Sequence, residues 1–503
     1  MERLGSQALG EDLLKELCLL IRSRYGLIWI KSADYGRMHS LLKHAASRLD
    51  LALLVWTPSG GLCRDESDNQ IYGTSDPKTA LDNIRCSRSP AIFYFQGLTP
   101  FLEDRGFMAR LGDVACEFSN DEGAIVIAGC DVRIPEPARP HSAVLTPPCP
   151  EREEFEHLIR SVYRDLKARM PAKLDLNSRS MNMLISNLHG LTLIEAEKIL
   201  TKAIVEDGRL DAADIEHVLK EKRAIIEREG LLEFIPVEYG FADIADLKSL
   251  KSWLAKRRSI ILDPKGAAKF GLPFPKGILL LGVPGSGKSL CAKAVAQEWG
   301  LPLLRMDPSR LYNKYIGESE KNYRRAMETA ERLAPVILWI DEIEKAFPPT
   351  GGEDTGVSQR VLGSFLSWLQ DRRGDVFVAA TANDIDRLPA ELLRKGRFDE
   401  VFFVDLPDEK TRAEIFRIHI QRRGHNPGEF DLAALAGATT GFTGAEIEQT
   451  VVSALYTAFS GEACMNTDLL LKEIAATRPL SQIRAEYIQS LRDWAHQRTV
   501  SAQ

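Results

Sequence analysis

No uninterrupted apolar run in this sequence approaches the ~18–20 residues that a membrane-spanning helix needs. Its first residues, Met1-Glu-Arg-Leu-Gly5, lack the basic-then-apolar form of a secretion signal, so the chain reads as cytoplasmic. Cysteine is sparse. The eight, Cys18, Cys63, Cys86, Cys116, Cys130, Cys149, Cys291 and Cys464, include no C-x-x-C pair, which argues against a zinc site or a disulfide framework. A basic excess is missing too. With 65 Lys and Arg against 71 Asp and Glu, the formal charge of -6 gives no global attraction to nucleic acid or anionic lipid. The one compact basic cluster, Lys256-Arg257-Arg258, reads as the wet face of a helix, and no helix-turn-helix or stacking platform is evident, so no nucleic-acid partner is expected. The nine histidines contain no H-E-x-x-H, and His419 and His425 have no third metal ligand near them in sequence, which disfavours a protease.

What is present begins with ordinary globular composition, 44% apolar and 27% charged, over 503 residues, enough for two or three folding units. The most informative stretch is Gly282, Val283, Pro284, Gly285, Ser286, Gly287, Lys288 and Ser289, set between the apolar run Ile278-Leu-Leu-Leu281 and a helix-like segment opening at Leu290. Strand, glycine loop and helix in that order build a phosphate cradle. Successive backbone N–H groups converge on phosphate oxygens, and the helix directs the positive end of its dipole at them. Lys288 is expected to pair with the β and γ oxygens, and the Ser289 hydroxyl to hold Mg²⁺. A second apolar run, Val336-Ile-Leu-Trp-Ile340, ends in Asp341-Glu342. Active residues gather at the C-terminal ends of buried parallel strands, so Asp341 is expected in the Mg²⁺ shell and Glu342 beside the attacking water.

The two halves share a spacing. Leu27-Ile-Trp-Ile30 precedes Ile278 by 251 (278 − 27), Ile125-Val-Ile-Ala128 precedes Val376 by 251 (376 − 125), and Gly190-Leu-Thr-Leu-Ile-Glu-Ala-Glu197 precedes Gly441-Phe-Thr-Gly-Ala-Glu-Ile-Glu448 by 251 (441 − 190). An internal duplication is expected. Its first copy is disarmed. Arg37 and Met38 stand where Lys288 and Ser289 do, Asp34 would repel a polyphosphate, and Gln96 falls opposite Asp341 by the apolar pattern. The expected fold is therefore tandem α/β: a degenerate P-loop-like domain over 1–149, a helical lid-like domain over 150–230, a linker or strap over 231–276, an intact α/β nucleotide domain over 277–409 and a helical lid over 410–503.

In order and spacing these motifs resemble an AAA-type ATPase over about 240–460. The wording of Ser289 to Ala296 and Ile337 to Phe347 is similar to a subgroup of plastid and cyanobacterial open-reading-frame AAA proteins and their bacterial relatives, and a plastid origin would move the location to the stroma. The resemblance implies ATP and Mg²⁺ as ligands and ATP hydrolysis as the activity. It implies that Asn383, at the end of Val376-Phe-Val-Ala-Ala-Thr-Ala-Asn383, orients the attacking water, although a turn-capping asparagine is the plainer reading of the residue alone. It makes Arg394 and Arg397 arginine fingers for the next subunit of a homo-oligomer, hexameric by resemblance, against the alternative of surface salt-bridge partners. It makes Tyr315, flanked by Lys314, a pore residue gripping polypeptide, against the alternative of a core tyrosine, and Pro348-Pro-Thr-Gly-Gly-Glu-Asp-Thr-Gly356 a possible second channel loop. The chain departs from many relatives at Gly444-Ala445, which leaves no lid arginine, and at Asp243-Ile-Ala-Asp-Leu247, where an adenine contact from Ala245 replaces paired glycines. The implied function is remodelling or translocation of protein partners through a ring pore. The alternative is a nucleotide-dependent regulatory switch or scaffold without threading.

Overall fold

Leu27-Ile-Trp-Ile30, Ala91-Ile-Phe-Tyr-Phe95 and Ala124-Ile-Val-Ile-Ala128 are continuous apolar runs, and every residue of the three is buried in a strand. Such runs suit parallel strands covered on both faces, because neither side meets water. A computed structural model describes residues 9–503 apart from 33, 66–70, 88–89, 119–122, 130–131, 172, 212–213, 229, 238, 312–317, 348–354, 373 and 462–463. Two units emerge, Met1–Lys222 and Arg223–Gln503.

In the first unit β1 (Leu27–Ile30), β2 (Ala52–Thr57), β3 (Gly61–Arg64), β4 (Ala91–Phe95), β5 (Ala124–Ala128) and β6 (Ser142–Leu145) form one sheet in the order β3-β2-β4-β5-β1-β6. All pairs are parallel except β2 with β3. Alternate residues serve opposite cores: Leu27 and Trp29 pack with Phe93, Phe107 and Leu111, whereas Ile28 and Ile30 pack with Met38, Leu42 and Val126. Each such fully buried large side chain contributes about 1.5–3 kcal/mol. Helices follow from Arg152, interrupted by a two-residue parallel ladder between β7 (Lys173–Leu174) and β8 (Arg209–Leu210), where sequence periodicity gave helices alone.

The second unit repeats the plan. Strands β9 (Leu232–Ile235), β10 (Gly277–Gly282), β11 (Leu303–Met306), β12 (Val336–Ile340), β13 (Val376–Ala382), β14 (Glu400–Val404) and β15 (Val500–Ser501) order as β15-β14-β10-β13-β12-β11-β9. The run β11-β12-β13-β10-β14 matches β2-β4-β5-β1-β6 of the first unit. The lid helices match as well: Thr192 and Thr443 each cap a helix, with Glu195 and Glu446 completing the capping box.

Register corrects part of the spacing. Leu27 pairs with Ile125 and Ile278 with Ala379, so the β5 to β13 offset is 254 (379 − 125), not 251. Continuing along the row, Phe93 pairs with Ile125 as Trp339 pairs with Ala379, an offset of 246 (339 − 93). Gln96 therefore stands opposite Glu342, and Phe95 opposite Asp341.

Two expected boundaries also move. The segment 231–276 is no linker: β9 pairs antiparallel with β11, and Leu250 and Leu254 of the helix Lys248–Leu262 pack against Leu280 and Phe402. The lid over 410–503 ends early. Its helices Glu409–Arg422, Leu432–Ala438, Gly444–Ser460 and Thr467–Ala476 enclose their own core of Phe416, Leu435, Ile447, Val451 and Leu470. The helix Ala485–His496 instead packs Ile488, Leu491 and Ala495 with Ile340 and Ala382, and β15 joins the sheet beside β14.

Candidate active site

Three neighbouring parallel strands, β10, β13 and β12, end side by side and deliver the site. After β10 the chain turns through Gly285, at φ 81, where a Cβ would stand 3.0 Å from Thr443 Oγ1 and 3.2 Å from Ala445 Cβ. Gly287, at φ 94, precedes the helix Lys288–Trp299. Left-handed backbone and crowding by the lid leave glycine as the residue for the first of these positions. The Gly285 carbonyl accepts the Ala445 N–H at 3.1 Å, tying loop to lid.

Lys288 lies buried behind the loop, with Nζ donating to the carbonyls of Gly282 and Val283 at 2.9 Å each. Burial pushes its ammonium down to about 8, against the opposing pull of Glu344 and Asp341. Ser286 Oγ is buried and makes no hydrogen bond among the described residues. At the end of β12, Asp341 Oδ1 accepts from Ser289 Oγ at 2.9 Å and from Thr381 Oγ1 at 2.6 Å. Thr381 Oγ1 in turn accepts the Glu342 N–H at 3.0 Å. Glu342 adopts φ 52, and its Oε1 accepts from Asn383 Nδ2 at 2.9 Å. A hydrogen-bonded ion pair with Lys345 holds the Glu342 carboxyl below the usual range. Asn383 N–H donates to Glu344 Oε1 at 3.0 Å, and burial raises the Glu344 carboxyl.

These groups line a cavity of about 550 Å³. Pro284, Gly285, Ser286, Gly287, Lys288, Ser289, Leu290, Asp341, Glu342 and Asn383 all face it, as does Ala245, followed by Asp246 and Leu247 at φ 58 and 56. Gly282 and Val283 meet the site through their carbonyls on Lys288. Two residues named from the sequence stay away from this cavity. Arg394 is exposed, and Arg397 donates through Nη1 to the Glu391 carbonyl; neither lines the wall. Tyr315 and Lys314 lie outside the described residues, as does 348–354 of the second proposed channel loop.

The sequence reading missed Thr381, whose only signal is its place two residues before Asn383 on a strand already singled out. It also missed Tyr239, with Arg422 over its ring at 3.9 Å and Lys293 at 5.6 Å, and the lid residues Ile415, Ile418 and His419, which line the same cavity. Burial lowers the His419 pKa against the opposing charge of Glu448.

A glycine loop between strand and helix, paired carboxylates ending a neighbouring strand and a helical lid over the cavity define a P-loop nucleoside triphosphatase. Residues 278–406 match the family "ATPase family associated with various cellular activities (AAA)". Residues 13–146 and 153–229 match the N-terminal and second domains of SpoVK-like AAA ATPases. The AAA domain-containing protein ycf46 of Guillardia theta is 36% identical over 487 residues, 96% of this chain and 94% of the relative. That of Pyropia yezoensis is 36% identical over 486 residues, 96% of this chain and 97% of the relative. The ATP-dependent zinc metalloprotease FtsH of Ureaplasma parvum is 35% identical over 210 residues, 41% of this chain and 29% of the relative. The chain belongs to the AAA ATPase family: it binds ATP and hydrolyses it. Among the described residues, no helix is long and apolar enough to cross a membrane.

Proposed function

We propose that the second unit hydrolyses ATP at a site completed by a neighbouring copy of the chain, and that hydrolysis drives the remodelling or translocation of protein partners through a ring pore. The observation that carries the chemistry is the convergence of Ser289 and Thr381 on one oxygen of Asp341, with Asn383 on Glu342 beside it. The loop N–H groups and Lys288 hold the phosphates, and the cationic Lys288 regains in a phosphate what burial costs it. Ser289 Oγ and Asp341 Oδ1 are hard oxygen donors 2.9 Å apart, which fits Mg²⁺. When bound, that ion neutralises charge on the phosphate oxygens. Glu342 accepts the proton of the attacking water, and Asn383 holds the carboxylate in line with it. Ala245 sits against the adenine.

Arg394 and Arg397 lie outside their own cavity, so they reach phosphate only across a contact with another copy, a ring of six by family resemblance. Such an arginine counters charge on the transferring phosphoryl group. Tyr315, with Lys314 beside it, grips the partner chain, since an aromatic face suits many side chains without reading their order. Support for a protein substrate comes from the similarity to FtsH, an ATP-dependent zinc metalloprotease. The test is a Glu342→Gln protein, which binds ATP and stalls. Capture of a client that the wild-type protein unfolds in an ATP-dependent assay supports the reading; capture with no unfolding by the wild type favours a nucleotide switch instead.

A further inference from the structure

Tyr487 lies 104 residues beyond Asn383 in sequence, yet its hydroxyl donates to the Asn383 carbonyl at 2.6 Å. The opposite side of the same residue is also fixed, because the Asn383 N–H donates to Glu344 Oε1 at 3.0 Å. The side chain, held from both ends of its own backbone, then donates to Glu342 Oε1 at 2.9 Å. Nothing about the local sequence of β13 requires this: a strand-end carbonyl is ordinarily satisfied by water or a turn. Here a side chain from a distant helix supplies the partner.

That helix, Ala485–His496, is firmly seated. Ile488, Leu491 and Ala495 are buried in the cluster that contains Ile340, Ile343 and Ala382, the residues flanking the two carboxylates and Asn383. Arg492, on the same helix, donates to Asp405, just beyond β14, at 2.9 Å. Burial, reinforced by Asp384 and Asp386, raises the Tyr487 phenol, so the hydroxyl keeps its proton and remains a donor.

We propose that Tyr487 is a positioning residue for hydrolysis: its hydroxyl fixes the Asn383 carbonyl and through it the amide that aims Glu342, linking the C-terminal helix to the water-activating carboxylate. The inference rests on the roles given above to Glu342 and Asn383. Small displacements of such groups have large kinetic effects, because the reacting atoms must be held within a few tenths of an ångström of their productive geometry. Tyr487 is not among the described residues that line the cavity, so its loss is expected to act on the chemical step and leave ATP binding alone.

The experiment compares full-length wild type, Tyr487→Phe and Ile488→Val in steady-state ATPase assays and thermal unfolding. Tyr487→Phe removes one oxygen and keeps the ring. It is expected to lower kcat about three- to ten-fold with KM for ATP and the melting midpoint held near wild type. Ile488→Val loosens the same helix without touching Asn383, and is expected to lower the melting midpoint with kcat unchanged. Unchanged kcat in Tyr487→Phe overturns the inference, and so does an equal fall of kcat in both variants, which reduces Tyr487 to packing. Retained turnover in Glu342→Gln would instead overturn the catalytic roles on which the inference stands, and the inference with them.

Discussion

The carboxylate of Asp34 accepts the backbone N–H of Leu193 at 3.1 Å, at the start of the helix Leu193–Asp207, while its other oxygen accepts the Arg37 N–H at 3.1 Å. By the 251 spacing of the loops these are the places of Gly285 and the lid helix in the second unit, where Gly285 bonds Ala445 through its carbonyl (285 − 34 = 251). The first unit thus carries its own anion at two helix N-termini, and Arg37 is turned away to Glu154 and the Pro148 carbonyl. Beside the charge repulsion expected of it from sequence, Asp34 thus has a second role, joining the loop to the helix Leu193–Asp207. Asp34→Ala in the full chain is expected to speed hydrogen exchange at Arg37 and Leu193 by about ten-fold. Unchanged protection at both amides would show that the carboxylate holds nothing.

Thr381 links the two acidic residues, donating to the Asp341 carboxylate and accepting from the Glu342 backbone N–H. Thr381→Val keeps the shape and leaves the Glu342 N–H unpaired, a loss of about 1–3 kcal/mol. The turnover number should fall by about ten-fold or more, read from phosphate release under saturating ATP. A variant as fast as wild type would mean that Glu342 is held by other contacts.

The strands that build the site were legible because each is a continuous apolar run, and the loop and carboxylates because their residue types sit at strand ends. Register was not legible. The apolar runs Ile125-Val-Ile-Ala128 and Val376-Phe-Val-Ala379 look alike at any small shift, so it is the pairing of Leu27 with Ile125 and of Ile278 with Ala379 that reveals the slip of three residues (254 − 251). The edge strands β9 and β15 escaped for another reason. Leu232-Glu-Phe-Ile235 and Val500-Ser501 are too short to show a period, and tertiary pairing with β11 and β14 makes them strands. Tyr487 was hidden likewise, since its partner lies on a different element.

The positions of Arg394 and Arg397 give a complementation experiment. Lys288→Ala loses its own site but keeps both arginines, whereas Arg394→Ala with Arg397→Ala keeps the site and loses the arginines. Each alone should be reduced by about 10³ or more. Mixed, they should regain a measurable part of the wild-type rate, because some neighbours then pair an intact site with intact arginines. No regain in mixtures shown to co-assemble would place both arginines outside the chemistry.

The most direct measurement is the specific ATPase rate of wild-type protein over a dilution series with magnesium present, alongside sedimentation to follow its mass. A site completed by a second copy predicts a rate per chain that falls steeply as assemblies give way to monomers. A rate per chain that stays constant into clearly monomeric protein would contradict the shared site.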